Sequence, residues 1–299
     1  MAATTINSQG QQSSDLVKVG FSDLKQGESS FWNYESKLFS SSAHQGSREY
    51  MEDRTLCLCD QANKFSIFSV FDGHGGDFVS DFLEKNFTDR LRHRLLNTDM
   101  TKSDALKDAV TSEIHQFDKD MEKVNPDQTK EAGSTLTSVL VYNNKLYVIQ
   151  IGDSKAVACD SVGNHVVLTK EHKPSNPQEK NRIIKAGGHI ENIGVDRVEG
   201  VLAVSRAVGD CQFKGNDVVS VHPDIVEIDL TKDSYNYIII GSDGLFDVVP
   251  AKEAIEFANA YIKERGIDGL PKLANALCQE ALNRKSQDNV SVIVVKLML

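Results

Sequence analysis

The sequence has no hydrophobic run approaching the roughly 20 apolar residues that a membrane-spanning helix requires, although 40% of its 299 residues are hydrophobic. It reads as a chain that buries those residues in its own core, with material for one large domain or two of ordinary size. The opening stretch, MAATTINSQGQQSSD, lacks the basic start and the apolar segment of a secretory signal, and no glycine follows Met1 as myristoylation requires. A cytoplasmic or nuclear location is the resulting expectation. Cysteines are few: Cys57, Cys59, Cys159, Cys211 and Cys278 are odd in number and not arranged as two pairs at zinc-ligand spacing, so reduced thiols are expected. An excess of positive charge is also lacking. The net charge of −10 argues against partnership with nucleic acid or an anionic membrane, which reward a basic surface. It leaves a phosphorylated substrate open.

Several catalytic signatures are absent. No glycine-rich loop ends in Gly-Lys-Ser/Thr, His172-Lys173-Pro174 has no second histidine at zinc-helix spacing, and Ser205 lacks the paired glycines of a nucleophile elbow. Cys278 and Arg284 have the spacing of cysteine-dependent phosphatases. The five residues between them contain no glycine and fit a helix, so backbone amides there cannot curl around a phosphate.

What is present is a chain rich in short strands. Residues 1–20 are dominated by Ser, Gln, Thr and Asn and read as a tail too polar to offset the entropy of ordering it; residues 21–299 read as a single domain with no long linker. Arg54 to Asp60 and Lys64 to Phe71 form a strand pair, followed by two amphipathic helices, one from Phe78 to Leu95 and one from Ala105 to Met121. The middle carries hairpin-connected strands from Ser134 to Thr169. A short helix from Pro177 to Ala186, a strongly apolar strand from Tyr237 to Gly241, two helices near 251–265 and 270–283, and a last strand from Val290 to Leu297 complete the pattern. Short connections make neighbouring strands antiparallel, and paired helices need a sheet face to cover, so the expected class is α+β with layered antiparallel sheets flanked by helices.

Acidic residues recur where strands end or begin: Glu52-Asp53, Asp72-Gly73-His74-Gly75, Asp153 after Gly152, Asp243-Gly244 and Asp288-Asn289. Any one Asp-Gly is most simply a turn. Together they supply the carboxylates that hard cations such as magnesium and manganese bind. Two such ions about 3.5 to 4 Å apart can share a hydroxide and aim it at phosphorus. Arg48, just upstream of Glu52, offers a bidentate guanidinium for phosphate oxygens.

In order along the chain, Gly46-Ser47-Arg48 with Met51-Glu52-Asp53-Arg54, Val70-Phe71-Asp72-Gly73-His74-Gly75-Gly76, Ala132-Gly133-Ser134-Thr135, Ile151-Gly152-Asp153-Ser154 and Glu171-His172-Lys173-Pro174 form one set. Leu202 to Asp210, Gly241-Ser242-Asp243-Gly244-Leu245-Phe246-Asp247 and Asp288-Asn289-Val290-Ser291 continue it. This set resembles the type 2C, metal-dependent (PPM) protein serine/threonine phosphatases from about residue 43 to the end. Glu171 stands where an Asp often precedes His-Lys-Pro, a mild departure. The resemblance implies a four-layer α-β-β-α sandwich with two central antiparallel β-sheets, and a flap at about 174–201 beside the active cleft. It implies two Mg2+ or Mn2+ ions, with Asp72 bridging them, Gly73 contributing a carbonyl, Glu52 on one ion and Asp243 and Asp288 on the other. Asp153 with Asp243 would match a weaker third ion. Arg48 would be the phosphate clamp and His74 the general acid that protonates the departing Ser or Thr oxygen, with Thr135 and Asp247 in supporting positions. Phosphoserine and phosphothreonine proteins would be the substrates, in signalling, and the enzyme a monomer. The alternatives are a pseudophosphatase that keeps the fold as a regulatory binding module, and a hydrolase of small phosphoesters.

Overall fold

A computed structural model describes residues 16–26, 30–99 and 104–297. In chain order the first strands are β1 (Leu16–Gly20), β2 (Lys25–Gln26), β3 (Phe31–Glu35), β4 (Phe39–His44), β5 (Arg54–Asp60), β6 (Phe65–Phe71) and β7 (Gly73–His74). Helices α1 (Phe78–Leu96), α2 (Ala105–Val124) and α3 (Pro126–Glu131) follow, then β8 (Gly133–Ser134), β9 (Leu136–Tyr142), β10 (Lys145–Ile151), β11 (Lys155–Asp160) and β12 (His165–Val167). Next come α4 (Pro177–Lys185), β13 (Ile190–Ile193), β14 (Val195–Val198), β15 (Val208–Gly209), β16 (Asp224–Asp229) and β17 (Tyr235–Gly241). The chain closes with α5 (Asp243–Phe246), α6 (Ala251–Arg265), α7 (Leu273–Asn283) and β18 (Val290–Lys296).

Two antiparallel sheets form the centre, one in the order β1-β5-β6-β9-β10-β16 and the other β12-β11-β17-β18-β4-β3-β2. Strand alternation decides what each face meets. From β6, Phe68 and Val70 point inward to join Val139, Val148, Ala158, Ile240 and Ile293 in the layer between the sheets. Phe65, Ile67 and Phe71 point outward and pack under Leu83, Phe87, Ile114 and Phe117 of α1 and α2. On the other side Ile239, Val292 and Val294 meet Ala254, Ile255, Leu277 and Ala281 of α6 and α7. Helix, sheet, sheet, helix is the layering expected.

Leu16–Gly20 corrects the expected tail boundary: Leu16, Val17 and Val19 pair antiparallel with β5 from Leu16 opposite Asp60 to Gly20 opposite Leu56. Residues 1–15 of that expected tail lie outside the described residues. The pattern of apolar residues assigns no strand to β4, Phe-Ser-Ser-Ser-Ala-His, yet it lies within the second sheet between β18 and β3. Its serines are buried with partners: Ser41 Oγ lies 3.1 Å from Thr55 Oγ1, and Ser42 Oγ donates to Asn33 Oδ1 at 2.7 Å. Bonded hydroxyls remove the desolvation cost that would bar serine from such a place.

Candidate active site

β5 begins where β6 ends, Arg54 opposite Phe71, and the residues flanking that edge carry the chemistry. The Asp72 N–H donates to Thr135 Oγ1 at 3.0 Å while its carbonyl accepts from the Thr135 N–H at 2.9 Å. These two bonds fix the backbone and leave the Asp72 carboxylate to project from the sheet end. The chain then pairs Gly73–His74 with Gly133–Ser134 and turns into α1 through Gly75. At Gly75 φ is +68° and a Cβ would stand 2.3 Å from the Glu131 carbonyl oxygen, so only glycine makes the turn. The Gly76 N–H donates to Glu52 Oε1 at 2.7 Å.

Asp153 follows β10, and Asp243 opens α5 directly after β17. One carboxylate oxygen from each of Asp72, Asp153 and Asp243 lies within 4.8 Å of the other two. Asp288 and Glu52 line the same cleft outside that trio, together with Arg48, Gly73 and His74, around a volume of about 390 Å³. The candidate ligands, clamp and acid anticipated from the sequence thus line one cleft, with Thr135 beside them, whereas Asp247 is not among its lining residues. Asn289 holds its rim: its side chain accepts the Glu52 N–H at 2.7 Å and donates to the carbonyls of Gln45 at 2.7 Å and Tyr50 at 3.0 Å.

Like charges gathered this closely repel. Burial, then the charges of Asp53, Asp243 and Asp153, push the Asp72 carboxyl well above the usual range. Burial with Asp153 and Asp288 raises Asp243 to about 8. Asp153 is raised by burial as well, opposed by Lys173, whose Nζ lies 3.5 Å from Asp153 Oδ2. Asp53 is 1% exposed, has its Oδ2 unpartnered, and is raised to about 7, chiefly by burial. Hard oxygen donors in such a repulsive cluster fit a divalent cation, whose charge reverses the penalty.

Arg48 Nη2 donates to Asp288 Oδ2 at 2.7 Å. The His74 Nε2 stands 2.8 Å from Oδ2 of Asp210, a fully buried residue. Burial opposes a charge on His74, but Asp210 outweighs it and holds the imidazole above its usual range. Sequence reasoning missed Asp210, as well as Lys173 and Arg197, the last of which reaches the cleft from β14 in the flap. Lys173 and Asp210 lie in motifs that carry the resemblance, but neither motif assigns them a role, and Arg197 lies in none; their place at the cleft comes from tertiary pairing. Cys278 is buried in α7 with its thiol pushed by burial up to about 12, consistent with the exclusion of a cysteine nucleophile.

An α-β-β-α sandwich with a carboxylate cluster, a guanidinium and an imidazole at one end of its sheets defines a hydrolase of the metal-dependent phosphatase class. The sequence model of the family described as Protein phosphatase 2C matches residues 38–290, and the chain belongs to that family. It is similar to protein phosphatase 1L of Bos taurus, 35% identical over 285 residues that cover 93% of this chain and 78% of that protein. It is also similar to probable protein phosphatase 2C 45 of Oryza sativa subsp. japonica, 37% identical over 256 residues covering 85% of each. The crystal structure of a serine-threonine phosphatase 2C from Toxoplasma gondii superposes with a TM-score of 0.73 at 24% identity, covering 90% of this chain and 99% of that one, which shows the shared fold. The chain is a metal-dependent protein serine/threonine phosphatase.

Proposed function

We propose that this cleft hydrolyses phosphoserine and phosphothreonine in proteins with two Mg2+ or Mn2+ ions and a weaker third, held by Asp72, Asp153, Asp243, Asp288, Glu52 and the Gly73 carbonyl. The observation that carries the reading is the convergence of Asp72, Asp153 and Asp243 within 4.8 Å in a cleft shared with Arg48 and His74. When bound, the cations supply an activated water and neutralise charge at phosphorus. Arg48 orients the phosphate by two parallel charge-assisted hydrogen bonds, exchanging its Asp288 partner for the substrate. His74 gives its proton to the departing serine or threonine oxygen. Thr135 holds the Asp72 backbone through its hydroxyl, and Lys173 balances charge beside Asp153 and Asp247.

The catalytic domain runs from residue 21 to 299, joined by β1, with the flap at 174–201 forming one wall. It acts as a monomer in cytoplasmic or nuclear signalling, without nucleic acid or membrane as a partner. The negative charge supports the exclusion of nucleic acid and anionic lipid as partners, and among the described residues no helix is long and apolar enough to cross a membrane. All the candidate ligands are present, so nothing favours a pseudophosphatase.

Asp243→Ala tests the ligand assignment. It is expected to abolish phosphopeptide hydrolysis at saturating Mn2+ while circular dichroism stays that of the parent; parental turnover would overturn the assignment.

A further inference from the structure

Asp210 is separated from His74 by 136 positions and touches it directly, Oδ2 to Nε2, at 2.8 Å. Three short strands make this contact: β7 pairs with β8, His74 opposite Gly133, and β8 pairs with β15, Gly133 opposite Gly209. The Asp210 N–H donates to the Ala132 carbonyl at 2.9 Å, in a backbone conformation of φ 51° and ψ 40° that non-glycine residues adopt rarely. Space for the pair comes from Gly133, where a Cβ would lie 2.2 Å from Asp210 Oδ2 and 2.5 Å from His74 Nε2.

The burial of Asp210 needs an explanation. Its side chain is fully buried, its Oδ1 has no hydrogen-bond partner, and no lysine or arginine pairs with it among the described residues. A carboxylate costs several kcal/mol to bury, and the cost is borne only where something answers the charge. Here the answering group is the one imidazole in the catalytic cleft.

We infer that Asp210 is a positioning residue for the phosphatase reaction: it accepts the Nε2–H of His74, fixes that ring and tautomer, and leaves Nδ1 as the nitrogen facing the leaving group. A carboxylate can only accept, so the proton between the two groups sits on Nε2. As water oxygen bonds to phosphorus, the bond from phosphorus to the serine or threonine oxygen breaks. The oxygen keeps the electron pair and takes the Nδ1 proton. The proton lost by water passes to solvent, from which His74 is recharged. Throughout, Nε2–H stays on Asp210, so the ring does not turn between turnovers. The arrangement has the logic of other carboxylate-oriented histidines, in which the carboxylate is not itself protonated.

The inference rests on His74 as proton donor, and the test separates the two readings. A proton donor matters for an alkoxide leaving group and little for p-nitrophenolate, which leaves without one. Asp210→Asn, assayed with Mg2+, is expected to lower kcat on a phosphothreonine peptide about tenfold or more, with a several-fold smaller loss on p-nitrophenyl phosphate. In a His74→Gln background the same substitution should add no further loss, because two residues acting as one unit are not additive. Equal losses on both substrates, or fully additive losses, overturn the role of Asp210. If His74→Gln itself shows no leaving-group dependence, the reading of His74 fails instead. Should Asp210→Asn not fold, nitrogen-15 NMR of the Mg2+-loaded parent decides, read at a pH high enough to leave one proton on the ring: a proton retained at Nε2 supports the inference, and one retained at Nδ1 overturns it.

Discussion

Arg48 carries a guanidinium with more than half its surface in water, and its one charged partner among the described residues is Asp288. An ion pair so exposed adds little to stability, which fits the phosphate-clamp role proposed for Arg48. Arg48→Ala is expected to leave thermal stability nearly unchanged and to lower kcat/KM on a phosphothreonine peptide about 10- to 100-fold, mostly through KM, the scale of a lost charged hydrogen bond. Steady-state kinetics beside a melting curve checks both halves. Individual site residues such as Asp72 and Asp243 were legible in the sequence because each stands beside glycine at the end of an apolar strand, a local signal. Asp210 was not. Its function depends on a neighbour reached across β15, β8 and β7, and a glycine-aspartate pair carries no mark of that pairing.

At the scale of elements, the flap is anchored by one buried carboxylate. Glu179 of α4 accepts hydrogen bonds from Arg206 Nη2 at 2.7 Å, from Ser205 Oγ at 2.8 Å and from Arg182 Nη2 at 3.0 Å. Burial alone would raise its carboxyl, but Arg206, Ser205 and Arg182 overcome it and lower it to about 2. A carboxyl lowered in the folded state stabilises fully above its unfolded value of about 4.3, and that stability is lost as pH falls from there through about 2. Water at the edges of Arg182 and Arg206 screens the contribution to about 2 kcal/mol. Glu179→Gln should remove that amount at pH 7 and flatten the acid limb of the stability profile, read by urea unfolding between pH 2 and pH 5 at intervals of about half a unit. The helices α1, α2 and α6 announce themselves by period, and α4 by Pro177 at its start and Gly187 past its end. Strand β4 gives no such signal, because its serines are buried by hydroxyl bonding that depends on Thr55 and Asn33 elsewhere in the chain.

For the whole molecule, the two sheets bring residues from position 48 to position 288 to one cleft, and the carboxylates gathered there repel until a cation joins them. The class, α+β with layered antiparallel sheets, was legible from hairpin spacing and paired helices, whereas the three-stranded unit of β7, β8 and β15 was not, since strands of two residues leave no pattern. A cation that binds only the folded protein stabilises it by about 2.7 kcal/mol at a hundred times its Kd. Mg2+ or Mn2+ should therefore raise Tm by several degrees and chelator should reverse the shift, with Asp243→Ala blunting it. The chemistry that this assembly serves is metal-dependent hydrolysis of phosphorylated serine and threonine. Its most direct test is inorganic phosphate release from a phosphothreonine peptide by the purified chain, with Mn2+ or Mg2+ and then with excess chelator. Release with metal and none after chelation is the result predicted; release that persists unchanged in chelator, or none under any metal from a folded sample, would contradict it.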